Sequence, residues 1–210
     1  MQPSEIRTVR TEAELREIVK EPHQSLWEKD IGRIDKHART LIAHSPFVLL
    51  ATANEDGTCD VSPRGDPPGS VLVLDDHHLA LADRPGNHRL DSIRNILRNP
   101  HIGLLFIVPG MNETLRVNGR ATIVSDAPFF DDLVVQGKRP RLAILVEVEE
   151  LYMHCAKAFL RASLWKPETW PDRASLPSLG RIIKDQMCLT DITAEQLDEG
   201  LAVDAKTNSY

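Results

Sequence analysis

Between Ser45 and Leu151 the apolar residues mostly alternate instead of recurring at helical spacing, and turn formers interrupt them at short intervals. SPFVLLATANEDGTCDVSP places two strands around Asn54-Glu-Asp-Gly57, a turn favoured by its Asn, Asp and Gly. SVLVLD (70–75) and HLALAD (78–83) are two more, joined at Asp76-His77. HIGLLFIV (101–108) reads as a strand buried on both faces, and RLAILVEVEEL (141–151) alternates. In ETLRVNGRATIVS, Asn118-Gly119 fits either a two-residue hairpin or one long strand bent at a glycine bulge. Six or seven short strands with a single helix inserted predict a mainly β fold, a small antiparallel barrel and not a parallel sheet.

Helices flank this core. Thr11-Glu-Ala-Glu14 is a capping box opening TEAELREIVK, and Leu26, Ile31, Ile34, His37, Ala38, Leu41 and Ile42 predict a second helix from about Ser25 to Ala43. After the strands, HCAKAFLRASLW (154–165), LPSLGRIIKDQMC and TAEQLDEGL read as helices. The expected organisation is a helical segment over residues 1–44, a core over 45–151, and a helical segment over 152–210 that packs on the core.

The chain has 210 residues and a formal net charge of −6, which argues against non-specific attraction to nucleic acid or to an acidic membrane. Three cysteines without CxxC spacing, no signal-peptide core and no long apolar run point to a cytoplasmic protein with reduced thiols. Histidines and cysteines do not fall at metal-ligand spacing, and no nucleophile motif is present, so neither a metal site nor covalent catalysis is expected.

Against that acidic background, residues 84–120 carry a local charge of +4. The stretch ADRPGNHRLDSIRNI (82–96) sets a Pro-Gly turn and Arg84, Asn87, His88 and Arg89 at the mouth of a helix whose expected buried stripe is Leu90, Ile93 and Leu97. Arginines at a helix start oppose the macrodipole by about 0.3–1 kcal/mol each, which favours an anion between them. A phosphate monoester needs several converging donors, and backbone N–H groups, an asparagine amide and forked guanidinium groups supply them. The same residues also fit a solvated basic helix start whose arginines pair with Asp83 and Asp91.

Two further stretches have a double reading. SPRGDPPG (62–69) is a stiff loop that either presents Arg64 and backbone groups to a flat ligand or simply connects strands. Lys157 and Arg161 share a helical face ahead of Trp165 and Trp170, which fits a hydrophobic anchor or an aromatic and basic lid.

The runs SPFVLLATANEDGTCDVSPRGDPPGSV, LADRPGNHRLDSIRNILRNPHIGLLFIVPGMNETLRVNGRATIV and HCAKAFLRASLW resemble the FMN-dependent branch of the pyridoxamine 5′-phosphate oxidase-like proteins over roughly residues 30–190. The resemblance implies a six-stranded antiparallel FMN-binding split β-barrel with N- and C-terminal helices. It also implies a homodimer with FMN bound in clefts at the subunit interface. Asn87 and Arg89 would take the FMN phosphate with Arg84 near it, Arg64 would contact the flavin, and the Ser62 and Pro63 backbone would border the ring. Lys157, Arg161 and Trp165 would reach the cleft from the partner subunit. The bent continuous strand at Asn118-Gly119 is likewise what the resemblance implies.

True pyridoxamine-phosphate oxidases end in a basic and aromatic substrate signature, whereas this sequence has the acidic TDITAEQLDEGLAVDAKTNSY there. The implied activity is therefore FMN-dependent oxidoreduction of an unspecified small molecule by hydride transfer at flavin N5, not vitamin B6 oxidation. No acid–base residue stands beside the arginine cluster, so a non-catalytic flavin-binding or small-molecule-sensing protein is the alternative. Relatives in the superfamily also bind deazaflavin or haem, but no histidine or cysteine stands out as an axial ligand.

Overall fold

The computed structural model describes residues 6–210, in two compact units that divide between Asp30 and Ile31. The first holds helix α1 (Glu12–Ile18) and one 3₁₀ turn (Gln24–Leu26). Thr11 caps α1 by accepting from the Glu14 N–H, but the Glu14 carboxylate turns to the Arg10 N–H, so only half of the expected box forms.

The second unit opens with α2 (Lys36–His44), shorter than the predicted helix over 25–43. Gly32 takes a left-handed φ of +56°, and Asp35 then caps the N–H groups of His37 and Ala38, so a new helix starts where a continuation was expected. Ala38 and Ile42, one turn apart, are its buried stripe.

Seven strands follow: β1 (Phe47–Ala53), β2 (Cys59–Gly65), β3 (Leu72–Val73), β4 (His78–Asp83), β5 (His101–Ile107), β6 (Thr114–Val124) and β7 (Leu142–His154). They form one antiparallel sheet in the order β2-β1-β5-β6-β7-β4-β3. The mainly β architecture is as expected; the expected count of six strands is not. The two-residue β3 pairs with Leu79 and Ala80 as a seventh strand, and among the described residues no ladder joins the sheet's two ends. Pro67 and Pro68, one residue past the end of β2, have no N–H with which to extend it.

Side chains do what the backbone does not. Arg64 on β2 pairs with Asp83 on β4 at 3.0 Å, and Asp66 after β2 pairs with Arg84 after β4 at 2.7 Å. Strands β2 and β4 lie near opposite ends of the ladder order, so these two crossed ion pairs stitch the ends of the sheet together. The core fills the concave face with Val48, Leu50, Leu104, Phe106, Val117 and Val146, covered by α2 and by α3 (Asp91–Arg98). On β5 only alternate residues are fully buried, since the other face of the sheet is half-covered; the expectation of burial on both faces fails there.

The β1–β2 turn forms at Asn54–Gly57 as the sequence predicts, with the Asn54 N–H bonded to the Thr58 carbonyl. Asn118-Gly119 lies inside one continuous β6, as the bulge reading requires. The register shifts between these two residues, and the extra residue is Glu149 on β7. α3 differs in detail: Ile93, Ile96 and Ser92 are buried, while Leu97 is 71% exposed and Leu90 precedes the helix with φ +57°. β7 runs on to His154, which shortens the expected helix over 154–165 to α4 (Lys157–Ala162).

The last two helices, α5 (Leu179–Gln186) and α6 (Ala194–Thr207), pack against each other. Thr193 and Gln196 build a complete capping box for α6, and Gly180 donates its N–H to Asp198 at 2.7 Å.

A Cβ at Gly119 would fall 2.0 Å from the Glu147 carbonyl oxygen, a backbone atom that cannot swing aside. Gly119→Ala is expected to cost about 1–3 kcal/mol or more, read from the midpoint of urea unfolding; an unchanged midpoint would show that the bulge does not hold the two strands so close.

Candidate anion-binding cleft

A cleft of about 790 Å³ opens along the stitched seam, and a second of about 660 Å³ adjoins it. These volumes suit small organic ligands. Strand β2 forms one wall of the larger cleft, the loop from Arg84 to Leu90 the second, and residues 138–142 the third.

The β2 wall is tied down by a polar chain. Ser92, in the first turn of α3, donates to Asp60 at 2.7 Å and shares a 3.0 Å hydrogen bond with Ser62, whose hydroxyl also accepts from Arg64 Nε. Asp83 takes Nη1 of the same arginine. Arg64 is thereby fixed by two groups. A guanidinium carries five N–H donors; two are used here, which leaves three.

Arg84 is held in the same manner, with Nε on Asp66 and Nη2 on the Leu133 carbonyl. Its side chain is 14% exposed and that of Asp66 15%. The pairings with Asp83 and Asp91 that a plain basic helix start would show are thus half present: Asp83 pairs with Arg64 instead of Arg84, and Asp91 pairs with Arg89 at 2.8 Å. That last hydrogen bond raises the Arg89 guanidinium above its already high ordinary value.

The loop ahead of α3 is backbone-strained. His88 and Leu90 both have φ +57°, a region that costs a residue other than glycine about 1–3 kcal/mol. Alternation of such residues with ordinary ones turns successive N–H groups toward one side, an arrangement that suits an anion. Asn87 accepts the Arg89 N–H through Oδ1, which sends its Nδ2 donors away from the loop backbone. No side chain caps α3, so its first N–H groups remain free of a capping acceptor. Asn87 and Arg89 therefore lie in the loop before the helix, ahead of its first turn.

The third wall is a hairpin turned at Gln136-Gly137, both at positive φ, which delivers Lys138, Arg139 and Arg141. Arg139 is engaged by Asp126 and Asp131, while Lys138 and Arg141 make no ion pair among the described residues. Six cationic side chains line the larger cleft against Asp60, Asp83 and Asp91, a net charge of +3 in a chain whose total is −6. Val61 and Leu90 add exposed apolar surface.

Of the sequence-predicted site residues, Ser62, Pro63, Arg64, Arg84, Asn87 and Arg89 come together here. Lys157, Arg161 and Trp165 do not line this cleft. Trp165 donates its indole N–H to the Met111 carbonyl and tilts against Phe159, so within this chain it anchors the segment after α4. The sequence reading missed the third wall, although Lys138-Arg-Pro-Arg141 is a visible basic run. It also missed Tyr210, whose position at the cleft has no local signal.

The profile of the family described as pyridoxamine 5′-phosphate oxidase matches residues 34–155, more than half of the chain, and the chain belongs to that family. No curated protein matches it. Among solved structures it is similar to HupZ of Group A Streptococcus, at 20% identity over 56% of this chain and 91% of that one, with a TM-score of 0.45. It is also similar to a putative pyridoxamine 5′-phosphate oxidase of Lactobacillus delbrueckii, at 23% identity over 59% and 98%, TM-score 0.46. A third is an FMN-binding protein of Syntrophomonas wolfei, at 9% identity over 56% and 88%, TM-score 0.43. No helix among the described residues is long and apolar enough to cross a membrane.

The donor chemistry of the cleft fits FMN. A phosphate dianion would meet Arg89 on the loop side with uncommitted N–H donors, the Asn87 amide and the strained backbone beside it; a flat ring would meet Val61, Pro63 and the fixed Arg64.

The arginines differ in what their removal does to the fold. Arg84→Ala leaves the Asp66 carboxylate buried and uncompensated and is expected to cost about 3 kcal/mol. Arg89, 72% exposed, should change stability by no more than about 0.5 kcal/mol. Thermal unfolding of the two variants checks the contrast, and equal losses would contradict it.

Proposed function

We propose that the chain binds FMN in this cleft and acts as an FMN-dependent oxidoreductase on a small molecule. The observation that carries the reading is the concentration of pinned arginines and strained, uncapped backbone at one seam of an otherwise acidic member of this family. Bound FMN would supply a reversible hydride acceptor at N5 of its ring.

The protein's part is to bind, orient and polarise. Arg89 and Asn87 hold the phosphate, and Arg84 adds charge behind it. Arg64 carries a fixed positive charge on the β2 side, where it favours an anionic pyrimidine edge. Ser62 and Pro63 border the ring with backbone, and the Ser92–Ser62–Arg64 chain keeps that wall from relaxing when a ligand enters.

The same reading includes a homodimer, with Lys157, Arg161 and Trp165 of the partner copy reaching this cleft. What supports it is the outer face of the sheet. Phe47 lies opposite Ile107, and Leu49 opposite both Pro63 and Leu105, which makes an apolar stripe across β2, β1 and β5 that is only half-covered within one chain. Sedimentation is expected to give twice the chain mass of 23.5 kDa; a monomer at micromolar concentration would remove the partner's residues from the site.

The cofactor is tested by the absorbance of the purified protein and by mass analysis of what heat releases. Arg89→Ala and Asn87→Ala are each expected to weaken FMN binding, by about 1.5–3 kcal/mol for the charged contact, with folding intact. A wild-type protein that stays colourless after incubation with FMN would overturn the assignment. Turnover is a separate matter: reduction of the bound flavin by NADH, NADPH or small reductants distinguishes an oxidoreductase from a protein that only holds flavin.

A further inference from the structure

Both clefts share the residues at the seam, and Tyr210, just past α6, lines each of them. Its ring lies 5.6 Å from the Arg84 guanidinium carbon, within the range of a cation–π contact. Burial raises the Tyr210 phenol above its ordinary value; the Asp66 carboxylate raises it further, and the Arg84 charge acts in the opposite sense. Asp66 in turn has a buried oxygen, Oδ1, with no hydrogen-bond partner. The Tyr210 ring and the Asp66 carboxylate thus both lie against Arg84.

Arg84 is thus contacted from three directions: by Asp66, by the Leu133 carbonyl and by the Tyr210 ring. The first two use two of its donors, and a ring face accepts no classical N–H bond, so three N–H groups stay available to a ligand. A guanidinium on a long stem loses rotamer freedom when it grips an anion. One already immobilised by packing loses less.

We propose that Tyr210 is a positioning residue for anion binding. By lying over Arg84 at the seam it holds the guanidinium ready, so that the segment after α6 contributes to phosphate affinity without touching the phosphate. The inference rests on the FMN reading for the identity of the anion. It assigns a function to a part of the chain that the family profile, which ends at residue 155, does not reach.

The test compares FMN with riboflavin, which has the same ring and no phosphate, by equilibrium dialysis against wild type, Tyr210→Phe and Tyr210→Leu. Tyr210→Leu is expected to weaken FMN about tenfold and to leave riboflavin affinity unchanged. Tyr210→Phe, which keeps the ring, should lie between. Equal weakening of both flavins would mean that Tyr210 packs on the isoalloxazine, and no weakening of either would mean that it does not act on the site; both results overturn the inference and leave the FMN reading standing. A wild-type chain that takes up neither flavin sinks the FMN reading. The inference is then decided by amide hydrogen exchange over residues 84–90: faster exchange in Tyr210→Leu upholds the positioning of Arg84, and unchanged exchange overturns it.

Discussion

Two ion pairs tie the ends of β2 and β4 together. The ladder order leaves β2 and β4 near opposite ends of the sheet, and no backbone hydrogen bond joins them among the described residues. Arg64–Asp83 and Asp66–Arg84 cross the gap in opposite senses, each strand end contributing one cation and one anion. The charges are mostly shielded from water, so each is stable only while its partner is present. Everything that makes the cleft follows: the position of β2, the approach of the Arg84–Leu90 loop to it, and the gap between them where a ligand fits.

The same pairs explain how a site for an anion coexists with carboxylates. Asp66 and Asp83 use a minority of the donors on their arginines, and what they take in charge they return in rigidity. Hydrogen bonds to a prepositioned fork cost less ordering than those to a solvated one. The strained backbone at His88 and Leu90 belongs to the same design, since its cost has no visible return in the packing of the core: Leu90 itself is exposed.

Local chemistry made most of the fold legible. The alternation in FVLLATA, the Asn54–Gly57 turn and the buried pairs on β4 and β7 each depend on near neighbours, and they appear where the sequence puts them. The glycine at 119 could be read locally as a hairpin or a bulge, and only its tight approach to Glu147 shows why it is a bulge. The errors come from tertiary context. Leu97 has helical spacing with Ile93 but faces away from the core, and the helix expected over 25–43 is interrupted because Asp35 offers a better start than Ile31–Ile34 offers a continuation. In the site, the arginines before α3 were legible from charge; their carboxylate partners were not, because Arg84 and Asp66 are joined by the curl of the whole sheet. The contribution of residues 138–141 depends on the same curl, and so does that of Tyr210.

A sheet closed by backbone hydrogen bonds has a fixed spacing between strands, set by the peptide group. Here the closing distance is set instead by the reach of two arginines and two aspartates. The aperture of the cleft is therefore encoded in side-chain length. Exchange of Asp for Glu or of Arg for Lys at these four positions would change the reach of a pair and leave the hydrogen bonds of the ladder untouched.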